Sequence, residues 1–203
     1  MKRLVVAVFV VFIVMLCIMP AMAEDQLVPD ERSRIPEGGM DTQSPILDGS
    51  AFTNYDTFFV HGTFAEAEPG SGVISDFGYR DGQTTKILHG GMYWAWINCP
   101  IPSYEKKTGG VQPQVRYLAV YYATLEGTNP KIDAIAFYNG PNYVKTIDYS
   151  TPIYSDYWTV QIIDLGGWYT FNRGLNMAVR VFNDDPTYDR TFYLAGYGAR
   201  FEW

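Results

Sequence analysis

Few residues in this chain could carry catalysis, because it contains only two histidines, His61 and His89. A Ser-His-Asp hydrolase needs one of them beside a nucleophile and an acid. No Gly-x-Ser-x-Gly sequence is present to hold a nucleophilic serine. His61 stands just before Gly62, and a hydrogen-bonded residue at a strand end is the simpler interpretation of that position. We therefore expect no catalytic residues and no enzyme activity, and a small hydrolase is the weakest function considered.

Carboxylates are plentiful but scattered, and the sequence does not show two of them facing each other across a glycosidic bond. Three lie close together before Arg190, namely Asp184, Asp185 and Asp189. They are weak candidates for calcium, which takes carboxylate and carbonyl oxygens. Asp and Pro are also ordinary turn residues, and this reading is favoured. The expectation is no metal and no cofactor, with calcium at this turn as the one alternative.

The aromatic residues are the most informative excess, at 16% of the chain. Trp94 and Trp96 lie two apart, so in a strand they point to the same face. Tyr117 and Tyr121 likewise share one face of a strand, with Arg116 on the other face together with Tyr122. Rows of aromatic rings on a sheet can stack against flat ligands such as sugar rings. The two Trp and the two Tyr are therefore candidate ligand-binding residues, although packing in strands is the commoner role of such side chains.

The elements that must position these residues are short strands. Runs with strand character alternate with Gly, Pro, Asn and Asp turns. These runs cover residues 57–63, 73–79, 84–88, 92–99, 114–125, 131–138, 143–149, 158–163, 174–182 and 190–201.

A period of two is clearest near the C-terminus, where Leu175, Met177, Val179 and Val181 share one face. Trp158, Val160 and Ile162 alternate in the same way with polar residues. No window of residues 24–203 has a sustained helical stripe. The sequence predicts an all-β protein, an antiparallel two-sheet β-sandwich of jelly-roll type, with a flattened barrel as the alternative.

The N-terminal 23 residues have the pattern of a signal peptide. Lys2 and Arg3 precede an apolar run over residues 4–19, and Ala21-Met22-Ala23 gives a small-x-small cleavage site. The run is shorter than the ~20 residues of a spanning helix, so cleavage before Glu24 is favoured over a retained anchor. We predict a signal helix over 1–23, a flexible acidic linker over 24–56 and one β-sandwich domain over 57–203. The protein is then exported: secreted, periplasmic or on the cell surface.

Charge and cysteine content narrow the partners further. With 15 basic and 22 acidic residues the net charge is −7, which disfavours nucleic acid, whose phosphates need clustered Lys and Arg. Contact with a membrane is expected only through the signal segment if it stays uncleaved. Cleavage removes Cys17 and leaves Cys99, which we expect to be a buried thiol rather than a nucleophile or an intermolecular bridge.

A series of short motifs resembles a small, uncharacterised family of bacterial and archaeal all-β domains of unknown function. His61-Gly62-Thr63 ends the opening strand, a strand containing Trp96 runs into Ile101-Pro102, and Ile132-Asp133-Ala134-Ile135 precedes Tyr138-Asn139-Gly140. Gly174-Leu175 then starts a late strand, and Gly196 lies in the last one. The resemblance implies a prokaryotic all-β domain over nearly all of 57–203 and transfers no activity or site residues. The signal segment and acidic tail depart from the family pattern.

These observations favour an exported, non-catalytic binding module for carbohydrate or another cell-surface ligand. The motivation is the aromatic excess on a sandwich that is exported to where polysaccharides are found. The alternative is a structural or protein-interaction component of the cell envelope, which would assemble through a sheet edge or face. The expected partners are accordingly a polysaccharide or an envelope protein.

Overall fold

The computed structural model describes residues 52–68, 73–80, 85–89, 93–124 and 127–203, with backbone only for 73–80, 85–89 and Tyr93. The predicted signal segment and nearly all of the predicted acidic linker lie outside these residues. The strands are β1 (Tyr55–His61), β2 (Glu66–Ala67), β3 (Val73–Arg80), β4 (Thr85–His89), β5 (Tyr93–Ile101), β6 (Gln114–Ala123), β7 (Lys131–Asn139), β8 (Asn142–Ile153), β9 (Thr159–Tyr169), β10 (Leu175–Asn183) and β11 (Arg190–Glu202). One 3-10 turn, Gly62–Phe64, follows β1.

The strands form two antiparallel sheets, as the alternation in the sequence predicts. Sheet A has the order β3-β4-β11-β6-β9, and β1 also pairs with β11. The long strand β11 pairs with β4 through residues 190–194 and with β1 through residues 196–202. Sheet B has the order β2-β5-β10-β7-β8. The predicted two-sheet antiparallel sandwich is thus confirmed.

The core lies between the two sheets and is built from alternate residues of the central strands. In β10, Leu175, Met177, Val179 and Val181 are buried, while Arg180 and the other even-numbered positions face outward. Phe137, Phe171, Phe192 and Phe201 are among its largest fully buried side chains. Burial of this apolar area is the dominant favourable term in folding, at about 25 cal/mol per Å².

The thiol of Cys99 belongs to this core. It is fully buried, as the sequence predicts, and burial raises its pKa well above the ordinary value. Because the thiolate is the nucleophilic form, a buried thiol of this kind is inert in the folded protein.

A network at one end of the sandwich ties β1 to the loop between β5 and β6. The carboxylate of Asp56 accepts a hydrogen bond of 2.6 Å from the Tyr104 hydroxyl and forms an ion pair with Lys107. The Lys107 ammonium also lies 3.6 Å from the centre of the Tyr104 ring and 4.3 Å from that of Trp203. The C-terminal residue is fixed in turn by backbone hydrogen bonds between Asn54 and Trp203.

Two details differ from the simple alternation. Arg116 and Tyr117 both lie opposite the single residue Arg200 where the register of β6 against β11 shifts. This β-bulge reverses the parity, so the prediction that Arg116 shares a face with Tyr122 is wrong: Tyr122 is buried in the core and Arg116 is not.

The second difference is that not all apolar residues of β9 face the core. Ile163 and Leu165 supply its buried face, whereas Val160 is 44% exposed on the outer face of sheet A.

In the part of the chain that the structure describes, no helix is long and apolar enough to cross a membrane.

Candidate functional site

The structure places the four candidate aromatic residues on opposite outer faces of the sandwich. Trp94 and Trp96 lie on β5 and alternate with the fully buried Ala95 and Ile97, so both rings face outward from sheet B. Tyr117 and Tyr121 lie on β6 and face outward from sheet A, because their neighbours Leu118, Val120 and Tyr122 point into the core. The two pairs are therefore separated by the thickness of the sandwich and do not form one surface.

A groove of about 470 Å³ lies on the outer face of sheet B. It contains Trp96 but not Trp94. The lining residues come from β2, β5, β10 and β7 and the segments that adjoin them: Glu68, Trp96, Asn98, Ala178, Asn176, Tyr138 and Gly140. The groove combines two aromatic rings with amide and carboxylate groups.

The register of the strands explains why a groove forms here. Asn98 is paired across the sheet with Ala178, and Ala178 with Ala136, so a row of small side chains crosses the sheet. Larger residues stand in the rows on either side. Arg180 is paired with Trp96 in one of them, and Asn176 with Tyr138 in the other.

An amide pair lies between the two aromatic residues of the groove. The side-chain nitrogen of Asn176 donates to the side-chain oxygen of Asn98 over 3.1 Å. The side-chain oxygen of Asn176 is buried and has no hydrogen-bond partner in the described structure. An unsatisfied buried acceptor costs about 1–3 kcal/mol.

A charged network holds the Trp96 side of the groove. The Arg180 guanidinium donates to Asp133 over 2.7 Å and lies 3.7 Å from Asp148. The same guanidinium lies 5.4 Å from the centre of the Trp96 ring, within the range of a cation–π contact. Arg180 therefore orients the Trp96 ring, and the two carboxylates orient Arg180.

The outer face of sheet A carries a different aromatic arrangement. The Tyr117 ring packs edge-on against Trp168 at 6.4 Å, and Trp168 packs against Phe52. The Tyr121 ring packs against Trp158 at 5.3 Å, and partial burial raises the pKa of the Tyr121 hydroxyl. Both tyrosines thus contact other aromatic side chains of this face.

The acidic turn that the sequence offers for calcium is engaged by cations of the protein itself. Asp184 forms an ion pair with Lys131, and Asp185 with Arg190 over 2.7 Å. Asp185 also accepts backbone hydrogen bonds from the two following turn positions, 187 and 188. These contacts hold the pKa of both carboxyl groups below its usual range. Across the described residues, no group of three or more His, Cys, Asp and Glu side chains is arranged to hold a metal ion.

The hydrolase alternative gains no support from His61. Its Nδ1 accepts a hydrogen bond from the backbone N–H of Thr63 and lies 3.0 Å from the Thr63 hydroxyl. The side chain thus caps the 3-10 turn that follows β1, as expected for a strand-end residue. The His89 side chain lies outside the described part of the chain.

The fold resembles solved carbohydrate-binding modules at low similarity. A family 35 module from Clostridium thermocellum is 12% identical with a TM-score of 0.40, and the match covers 71% of this chain and 97% of that one. A second family 35 module, from an environmental isolate, is 14% identical with a TM-score of 0.40 over 70% of this chain and 91% of that one. The corresponding module from Paenibacillus barcinonensis is 10% identical with a TM-score of 0.34, over 70% and 97%.

No protein-family model matches the sequence, and no curated protein matches it. This result agrees with a resemblance that carries no established activity.

Sequence reasoning identified Trp96 but missed the other groove residues. Asn98 could have been found, because it lies two positions after Trp96 and therefore on the same face of the strand. Asn176 and Ala178 follow in the same way from the buried alternation of β10. Tyr138 and Glu68 carry no such signal, since they reach the groove only through the pairing of distant strands.

Proposed function

We propose that this chain is an exported, non-catalytic carbohydrate-binding module and that the groove on the outer face of sheet B is its binding site. The observation that carries the proposal is the position of the Asn98–Asn176 amide pair between the Trp96 and Tyr138 side chains. The signal segment predicted over 1–23 would deliver the domain to where polysaccharides are found. Trp94, which the sequence also suggests as a ligand contact, does not line the groove, and the proposal leaves it outside the binding site.

The groove offers the two kinds of contact that a sugar ring uses. The C–H groups on one side of a sugar ring are apolar and pack on an aromatic face, whereas its hydroxyl groups need hydrogen-bond partners. Trp96 and Tyr138 supply aromatic faces, and the two amides supply donors and acceptors. A purely apolar ligand would cover the polar groups of the two amides without adding hydrogen-bond partners for them, at a cost that disfavours such a ligand.

The experiment that tests the proposal compares the wild-type chain with Trp96→Ala on a glycan array and then by titration calorimetry. Removal of one stacking ring costs about 1–3 kcal/mol, which is about 5- to 150-fold in the dissociation constant. We therefore expect a loss in that range for Trp96→Ala. Far-ultraviolet circular dichroism and urea denaturation establish that the variant folds.

Trp94→Ala is the matched control, because it removes the same ring from the same strand and the same face, outside the groove. Trp94 is 53% exposed, so its loss leaves the core untouched. We expect a loss of affinity below about twofold, which is less than 0.5 kcal/mol. If Trp96→Ala binds as tightly as wild type, the groove is not the binding site. If no glycan is bound at all, the envelope-component alternative gains.

A further inference from the structure

The direction of the groove across the sheet indicates what kind of carbohydrate it takes. Resting on the proposed function, we infer that the ligand is a linear, uncharged polysaccharide whose chain crosses the strands diagonally and contacts Trp96 and Tyr138 at the same time. The amide pair then faces the sugar unit between the two rings. A single sugar or a chain end would fill only part of this site.

The distance between the two rings follows from the register. Trp96 and Tyr138 lie two strands apart, with β10 between them, and two rows apart along the strands. Strands are spaced about 4.8 Å apart and alternate residues on one face about 6.7 Å, so the two backbone positions are about 16 Å apart on the diagonal. A pyranose ring with its glycosidic oxygen is built of bonds of about 1.5 Å and advances a chain by about 5 Å, so about three units bridge the rings.

The small residue in the middle keeps the path between the rings clear. Ala178 lies on the diagonal, flanked in its own row by Asn98 and Ala136. The groove continues past the rings to Glu68 at one end and to Gly140 at the other.

The charges around the groove disfavour an anionic chain. Three carboxylates line or flank it, from Glu68, Asp133 and Asp148, against the guanidinium group of Arg180. Arg180 is already paired with two of those carboxylates. A sugar carboxylate would therefore meet a field with more negative than positive groups, whereas an uncharged sugar would not.

The test is titration calorimetry of the full chain with xylo-, cello-, manno- and laminari-oligosaccharides of one to six units. Oligogalacturonates serve as the anionic series. For the neutral series that binds, affinity should rise by about fivefold or more once the chain reaches three or four units and contacts both rings, and should then level off, since the second stacking contact adds about 1 kcal/mol or more. The anionic series should bind at least about tenfold more weakly, with little dependence of the neutral series on salt.

The Tyr138→Ala variant distinguishes a ligand that contacts both rings from a ligand that contacts Trp96 alone. The variant should lose about fivefold or more in affinity for a hexasaccharide and less than about twofold for a disaccharide, because a disaccharide still rests on Trp96. Tyr154→Ala is the control: it removes a tyrosine that is 49% exposed and does not line the groove, and it should change neither affinity.

The outcomes distinguish this inference from the proposed function. Binding that is complete with a monosaccharide but lost in Trp96→Ala keeps the function and overturns the inference. The inference also fails if Tyr138→Ala weakens the disaccharide and the hexasaccharide equally, or if oligogalacturonates bind more tightly. If no glycan binds to the wild-type chain, the proposed function itself is wrong.

Discussion

Filling the groove from its floor, with a side chain that points away from the core, should weaken binding. Ala178 is 5% exposed and lies on the outward face of β10, between the buried Met177 and Val179. Ala178→Leu adds three carbon groups, each close to the ~30 Å³ that a water molecule occupies, or about 90 Å³ in total. That volume is roughly a fifth of the groove of about 470 Å³ and lies at its centre.

The leucine side chain would occupy the space of a sugar unit at the centre of the groove and exclude it. The loss of at least one ring contact and of the amide hydrogen bonds predicts a decrease of about 1–3 kcal/mol, or about 5- to 150-fold in the dissociation constant. The free energy of unfolding should change by less than about 0.5–1 kcal/mol, since the new side chain points away from the core. Titration calorimetry and urea denaturation measure the two quantities.

Ala119→Leu is the matched control for this prediction. Ala119 lies on a central strand of sheet A and is paired with Gly198 and Ile162, so the same substitution is made on the opposite outer face. It should leave the affinity unchanged. Equal affinity of Ala178→Leu and wild type, with both folded, would refute the assignment of the groove. So would an equal loss in the two variants.

Two further predictions concern stability. Gly198→Ala should destabilise the fold by about 1–3 kcal/mol in urea denaturation, because its Cβ atom would lie 2.2 Å from the carbonyl oxygen of Phe58. Gly167→Ala is the control and should not destabilise the fold, because the closest atom to its Cβ would be 3.6 Å away. Equal effects of the two substitutions would contradict the packing argument. The hydrogen bond from Lys107, followed by the one from Tyr104, holds the pKa of the Asp56 carboxyl below its ordinary value of 3.8. The stability that Asp56 contributes is therefore present above pH 3.8 and is lost as the pH falls through the lowered pKa. Asp56→Asn should therefore lower the urea midpoint at pH 7, and its difference from wild type should shrink toward pH 3; a constant difference would count against this linkage.

The strands could be predicted well because their residues alternate. All ten runs predicted from the sequence coincide with strands, usually within two residues at the start, and the buried row from Leu175 to Val181 is as expected. The strand that was missed, β2, has two residues, Glu66 and Ala67, too few for a period of two to show. The bulge at Arg116 was missed because nothing in the local sequence marks it.

The site was harder to predict, since alternation tells which residues share a face but not which face it is. Trp94 and Trp96 do share a face, and so do Tyr117 and Tyr121, yet the two pairs lie on opposite sides of the sandwich. The groove depends on Asn98, Ala178 and Tyr138 meeting across β5, β10 and β7. That register is set by the long-range packing of the whole core, which a single sequence does not display.

The most direct test of the carbohydrate-binding groove is an NMR titration of the isotope-labelled chain with the neutral hexasaccharide that binds most tightly. We predict that the largest shifts occur in the indole N–H of Trp96 and in the side-chain amides of Asn98 and Asn176. Largest shifts at Tyr117 and Tyr121 would contradict this account, because they would place the ligand on the outer face of sheet A.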